Sequence, residues 1–414
     1  MSTTALISSS TRRGFYERVI LGLFSKMEKG RLYITLPSEE AISIGNGEGG
    51  VVATIHVNSY SFFRRCVLYG DIGFGEAYEA GEWDTEDITA VIKWFLLNVD
   101  NAPAVSGSQS KILVLNALRL VNRLVHVRRE NSITGSRKNI AAHYDLNNAF
   151  FAQFLDETMT YSSAYFYKTD MTMEEAQLAK YERLCKQLRL QRTDHVLEIG
   201  SGWGSNAIYM AKQYGCRVTT ITISEEQHKY AGARVKEEGL EGQVEVLLQD
   251  YRYLQGTFDK IVSIEMIEAV GAKYLETYFR QCNRLLKKSG ILAIQAITCP
   301  DPRFAALRKS VDWIQKHIFP GSLLPSVGAI NTAINKTSDL TLVDLKDMGP
   351  DYAETLAWWR RRFNNNVVAI QQLGFDKTFM RKWNYYFSYC EAAFAMRHIY
   401  VMQLVYVRPD NLTR

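Results

Sequence analysis

From Lys180 onward, short apolar runs alternate with stretches of helical spacing. The pattern predicts strands at 195–199, 217–223, 243–248, 258–264, 290–297, 341–346 and 400–407, with helices at 205–214, 225–239, 273–288, 354–373 and 377–398. Such alternation calls for a mostly parallel, doubly wound sheet with helices on both faces. The last strand, Tyr400 to Val407, is expected to pack into an edge of that sheet. Residues 11–100 mix shorter helical and extended patterns. Leu32 to Leu36 and Val51 to Val57 read as strands, separated by the turn-rich run Gly45 to Gly50. Thr85-Glu86-Asp87 can cap a helix running through Leu97. The fold class expected is therefore α/β, with a smaller N-terminal α+β domain.

Asn101 to Ser110, rich in Asn, Ala, Pro, Ser and Gly, is the best linker. Lys111 to Glu130 then reads as a helix mixing Leu113, Leu115, Leu118, Val121, Leu124 and Val125 with Arg119, Arg123, Arg128 and Arg129. Extended to Lys138, the stretch holds seven cations and one acid, a local charge of +6. It suits a basic amphipathic helix on an anionic membrane, and equally an inter-domain strut with a solvated face. The expected division is 1–110, a connecting helix at 111–139, and a second domain at 140–414.

Composition narrows the class. At 414 residues with 47% hydrophobic side chains, two domains and a sizeable core are expected. No uncharged apolar run is long enough to span a bilayer, and Met1 to Ser10 lacks the basic flank and apolar stretch of a secretory signal. Six scattered cysteines without a C-x-x-C suggest reduced, mostly buried thiols and no metal site. These features point to a cytoplasmic protein. The formal charge of +5 permits an anionic partner without demanding one, and nothing calls for nucleic acid.

The chemistry centres on Val196-Leu197-Glu198-Ile199-Gly200-Ser201-Gly202-Trp203-Gly204, an apolar run closing in three alternate glycines before helical spacing resumes. A strand, a tight turn and a helix let a backbone approach a ligand closely; tight helix–strand packing is the plainer use of such glycines. A dinucleotide site would read G-x-G-x-x-G with a carboxylate at the end of the second strand. Here the spacing is G-x-G-x-G, Glu198 precedes the turn, and the second strand ends in Thr222 and Ser224. The pattern resembles motif I of class I S-adenosylmethionine methyltransferases, whose ligand carries an ammonium group that a nearby carboxylate can receive.

More motifs sharpen the likeness. They are His143-Tyr144-Asp145-Leu146-Asn147-Asn148, Phe154-Leu155-Asp156, Met159-Thr160-Tyr161-Ser162-Ser163-Ala164-Tyr165-Phe166, Thr222 to Gln227, Glu265-Met266-Ile267-Glu268-Ala269-Val270-Gly271 and Ile318-Phe319-Pro320-Gly321. In this order they resemble the cyclopropane-fatty-acyl-phospholipid synthases and the related mycolic acid cyclopropane synthases, over residues 140–407. The likeness continues weakly through Gly73 to Tyr78, as in the N-terminal domain of the phospholipid enzymes.

That resemblance implies a Rossmann-like methyltransferase that adds a methylene from S-adenosyl-L-methionine to a cis double bond of unsaturated phospholipids, peripherally at a membrane. It admits a homodimer. Cofactor contacts map to Tyr161, Ser162, Glu198, Gly200, Gly202, Thr222, Gln227, Asp250 and Tyr251. For Thr222 and Gln227 the plainer readings are a helix N-cap and a helix surface residue. The family's proton acceptor is a bound bicarbonate. Its shell maps to Glu268, Tyr352 and the backbone at Ile297, with Ser163 and Gln295 standing where the bacterial pattern has cysteine and histidine. Both can still donate hydrogen bonds, and both resemble the plant-type synthases. Glu265 is a spare carboxylate nearby, or a structural acid at a strand end. Rival readings are a methylene- or methyl-branched product from the same cation, a small-molecule methyltransferase, and a catalytically inactive lipid-binding protein.

Overall fold

The computed structural model describes residues 13–100, 147–409 and 411. The linker, the basic stretch 111–139 and the motif residues His143 to Leu146 lie outside the described residues. The described residues fall into two compact units. The first comprises 13–100, Lys309–Ile318 and Val367–His398; the second holds the rest.

In the first unit, strands β1 (Arg31–Thr35), β2 (Ala41–Ile44), β3 (Val52–Val57) and β4 (Trp83–Asp84) form a sheet in the order β2-β1-β3-β4. The helices Ser61–Glu79 and Ile88–Leu97 pack with Lys377–Ala395. The division expected at 140–414 is thus interrupted, because two of its segments join this unit. The Gly73 to Tyr78 motif accounts for one of them. A Cβ on Gly75 would stand 2.5 Å from the Trp313 ring, so only glycine lets that indole lie against the helix. Trp313 also donates to Glu79 at 2.9 Å, while Lys316 and His317 reach Glu76 at 2.6 and 3.0 Å.

The second unit contains β5 (His195–Ile199), β6 (Arg217–Thr222), β7 (Val244–Leu248), β8 (Phe258–Ile264), β9 (Leu286–Thr298), β10 (Thr341–Asp347) and β11 (Tyr400–Val407). Their order is β10-β11-β9-β8-β5-β6-β7. The run from β7 to β9 is parallel, and β11 pairs antiparallel with both neighbours. The central strands are apolar on both faces, as a sheet covered on both sides requires. Leu197, Ile261 and Leu292 enter one core layer, whereas Val196, Val262 and Ile291 enter the other.

The strand at 400–407 is not at the edge. It lies between β9 and β10, because Val401, Leu404, Val405 and Tyr406 are all buried and need cover on each side. The edge is β10, where Val343 and Leu345 remain exposed. The single helix expected at 354–373 is two, Gly349–Asn365 and Val367–Gln372, broken at Asn366. All six cysteines carry free thiols, five of them buried. Among the described residues, no helix is long and apolar enough to cross a membrane.

Candidate active site

The sheet changes winding direction between β5 and β8. Ligands of such sheets bind beyond the carboxyl ends of the strands at this point. The glycine turn sits there. After β5, the N–H groups of Gly200 and Ser201 both donate to the carbonyl of Ile221, at 3.0 and 2.9 Å. Gly204 serves packing, since a Cβ there would stand 3.1 Å from the Cβ of Ala231. Gly202 differs: with φ +49 it takes a left-handed conformation, and a Cβ would meet nothing within 4 Å. Its missing side chain keeps open space beside the turn, which fits a ligand lying against the backbone.

Glu198 is buried just before the turn, accepting from Asn206 Nδ2 at 2.8 Å and Thr220 Oγ1 at 2.5 Å. Burial pushes its carboxyl up to about 7, against those two hydrogen bonds and the Lys180 charge. At the end of β6, Thr222 Oγ1 donates to Gln227 Oε1 at 2.9 Å. The plainer readings of this pair fail: the N-cap is Ser224, and Gln227 is buried. Beyond β7, Asp250 accepts from the backbone and guanidinium of Arg252, and Tyr251 lies edge-on to Tyr278 at 5.3 Å. Apart from Tyr161 and Ser162, the expected cofactor residues thus gather near the ends of three adjacent strands. Thr222 and Asp250 bond within the protein.

The segment 154–166 is held by short polar links. Asp156 accepts from Thr158 Oγ1 at 2.6 Å, Thr158 meets Thr160 at 2.6 Å, and Thr160 meets the Tyr181 hydroxyl at 2.5 Å. Arg234 donates to the carbonyls of Thr158 and Trp203, tying this segment to the glycine turn. Ser162 is clamped from the helix Met173–Leu188. Lys180 Nζ donates to its Oγ at 2.7 Å and Gln177 Nε2 to its carbonyl at 3.0 Å. Lys180 is wholly buried, and burial pulls its ammonium down to about 7 although Glu265, Asp156 and Glu198 oppose that shift. An aromatic wall runs alongside, with Tyr161 5.2 Å from Trp359 and Trp359 5.9 Å from Tyr352.

Three of the residues assigned to the anion shell, Ser163, Gln295 and Tyr352, converge on a carboxylate of the chain. Glu265 Oε1 accepts from the backbone N–H of Ser163 at 2.9 Å and from Gln295 Nε2 at 2.8 Å. The Tyr352 hydroxyl also hydrogen-bonds this carboxylate. Gln403 donates to Gln295 Oε1 at 2.9 Å, which turns the Gln295 amino group toward Glu265. Glu268 accepts from the N–H of Ile297 through Oε1, while its Oε2 is buried without a hydrogen-bond partner. Burial and then the Glu265 charge push the Glu268 carboxyl up to about 8. A bicarbonate fits this shell poorly, because the Ser163 N–H, the Gln295 amino group and the Tyr352 hydroxyl already serve Glu265, and the Ile297 N–H serves Glu268.

The sequence pattern did not single out Lys180, Gln177, Thr355 or Gln403. Thr355 accepts from the N–H of Ala164 at 3.1 Å and fixes the same segment. The available signal was polar residues at buried helix and strand positions, as for Gln177 and Lys180 three apart on one helix face.

Known proteins resemble the chain over most of its length. A family model described as mycolic acid cyclopropane synthetase matches residues 131–404. The chain is 40% identical to a tuberculostearic acid methyltransferase of Mycobacterium tuberculosis, over 83% of this chain and 81% of that protein. It is 36% identical to the cyclopropane-fatty-acyl-phospholipid synthase of Escherichia coli, over 87% of this chain and 89% of that protein. Among solved structures, a mycolic acid cyclopropane synthase complexed with SAH and CTAB superposes with a TM-score of 0.62 at 30% identity, covering 66% of this chain and 98% of that one. The doubly wound sheet is the class I methyltransferase fold, and S-adenosyl-L-methionine is the co-substrate. The chain belongs to the mycolic acid cyclopropane synthetase family of S-adenosylmethionine-dependent methyltransferases.

Proposed function

We propose that this enzyme adds a methylene group to the cis double bond of unsaturated acyl chains in membrane phospholipids, closing a cyclopropane ring. The observation that carries this reading is the meeting of Ser163, Gln295, Tyr352, Glu268 and the backbone of Ile297 around a buried acid site. When bound, S-adenosylmethionine supplies an electrophilic methyl. Gly202 and the clamped Ser162 position its amino-acid end, and Tyr161 with Trp359 lines the neighbouring wall. An alkene is a poor nucleophile, so alignment is most of the task. The wall also keeps out water that would trap the cation, and its ring faces stabilise positive charge without attacking it. The acid site takes the proton that must leave before the ring can close.

A second reading is favoured by the 40% identity to a tuberculostearic acid methyltransferase: the same cation could yield a methylene- or methyl-branched chain. Either reading predicts release of S-adenosylhomocysteine with vesicles of unsaturated phospholipid and none with saturated ones. Equal release from both would remove the double bond from the reaction.

The double bond lies about 10 Å or more below the headgroups, within a hydrocarbon half-layer about 15 Å thick. The protein is therefore placed at the membrane surface, drawing the chain out, with the basic stretch Lys111 to Lys138 as its docking element. Near an anionic surface each cation contributes about 1 kcal/mol. Replacing Arg119, Arg123, Arg128 and Arg129 with Gln should weaken sedimentation with anionic vesicles at low salt. Unchanged sedimentation at every salt concentration would leave that stretch as a strut.

A further inference from the structure

Glu265 is the residue that the expected anion chemistry does not use, yet it stands where that chemistry needs an anion. Three residues assigned by resemblance to a bicarbonate shell donate to its carboxylate, Ser163 through its backbone N–H, Gln295 through its amino group and Tyr352 through its hydroxyl, while the Ser163 hydroxyl donates to the Ala164 carbonyl. The backbone is built to put it there. Immediately after β8, Glu265 has φ +48, a left-handed conformation uncommon for a residue with a side chain. Its own N–H is held by the Gln295 carbonyl at 2.8 Å, so the conformation is fixed from β9. Strain of about 1–2 kcal/mol at such a residue persists only where the surroundings enforce it. Ser163 and Gln295 have no exposed surface, and Glu265 is partly buried.

Charge argues the same way. Glu265 and Glu268 already share this site, with Lys180 the buried cation acting on Glu265. A bicarbonate would enter beside the Glu265 carboxylate with no uncommitted donor among those three groups, at a desolvation cost that only pairing offsets.

We propose that the Glu265 carboxylate occupies the anion place of this site, so that the enzyme carries its proton acceptor on its own chain and works without bicarbonate. The inference rests on the acyl-chain reading above. After methyl transfer to the alkene, a C–H bond of the new methyl breaks and its proton passes to the Glu265 carboxylate. The electron pair of that bond forms the second ring C–C bond and neutralises the cation. Glu265, left protonated, returns its proton to solvent before the next turnover. Glu268, already protonated near neutral pH, adds no second negative charge to the acceptor.

The test measures S-adenosylhomocysteine release with unsaturated phospholipid vesicles in buffer stripped of carbon dioxide, with and without added bicarbonate. Binding of 13C-bicarbonate is followed in parallel by NMR. The parent should run at the same rate in both buffers and show no bound bicarbonate. Glu265→Gln, which keeps the shape and loses the charge, should fall by about 100-fold or more, the usual scale for a general base. Glu265→Gly suits the left-handed backbone and should fold; it should bind 13C-bicarbonate and regain rate when bicarbonate is added. A parent that binds bicarbonate and is stimulated by it, or a Glu265→Gln variant at full rate without it, overturns the inference. A parent inactive in both buffers instead sinks the acyl-chain reading itself.

Discussion

Lys180 Nζ stands 2.7 Å from Ser162 Oγ, with both side chains buried and the second ammonium bond made to Gln177. A buried lysine with no carboxylate at salt-bridge distance is costly to keep. Here it fixes a segment that carries Tyr161, Ser162 and Ser163 into the site, and it places a positive charge among Glu265, Asp156 and Glu198. Its removal should therefore cost function more than stability. A hydrogen bond to a charged group is worth about 1.5–3 kcal/mol. Lys180→Met should raise the Kd for S-adenosylmethionine roughly 10-fold or more by calorimetry, with the melting temperature of the free protein little changed. A variant that unfolds while its folded fraction binds normally would make Lys180 a purely structural residue.

At Gly202 the backbone needs a left-handed conformation, yet the space beyond it is open. A Gly202→Val side chain fills that space, and the left-handed strain alone costs about 1–2 kcal/mol. The variant should stay folded by circular dichroism and lose detectable S-adenosylmethionine binding. Unchanged affinity would mean that the ligand does not lie against this turn.

Glu268 gives a pH signature. Its carboxyl is raised from 4.5 to about 8 in the folded chain by burial and by the Glu265 charge. Between those values the folded protein holds a proton that the unfolded chain has lost, so stability falls as pH rises across this window. Lys180 acts oppositely only above about 7, where the folded chain sheds a proton that the unfolded one keeps. From about pH 5 to about pH 7, the melting temperature of the ligand-free parent should therefore decline. Glu268→Gln should decline less, the remainder coming from groups such as Glu198. Parallel profiles for parent and variant would show that Glu268 ionises freely in the folded protein.

The sheet was legible because its strands are buried on both faces and therefore read as continuous apolar runs between helical periods. Residues 400–407 were placed wrongly at an edge because one strand's pattern says that it is covered, not by which neighbour. The helix at 377–395 reads plainly, but its membership of the first unit depends on packing against helices nearly three hundred residues earlier. In the site, Ser163, Gln295, Glu268, Ile297 and Tyr352 can be mapped through motifs; the first two and Tyr352 bond Glu265, and Ile297 bonds Glu268. Glu265 stands in one of those motifs as a spare carboxylate, but that it receives their donors depends on its own left-handed backbone after β8. Lys180 and Gln403 were hidden for another reason: a polar residue on an apolar face signals a partner without naming it.

The central claim is that the methyl of S-adenosylmethionine ends in the acyl chain at the former double bond. The most direct measurement is proton NMR of lipid recovered after incubating the purified enzyme with S-adenosylmethionine and vesicles of a cis-unsaturated phospholipid. Mass alone would not separate a ring from its methylene isomer. Loss of the olefinic signals with appearance of the upfield signals of a cyclopropane methylene is the predicted result. Olefinic signals left intact while S-adenosylhomocysteine accumulates would contradict it.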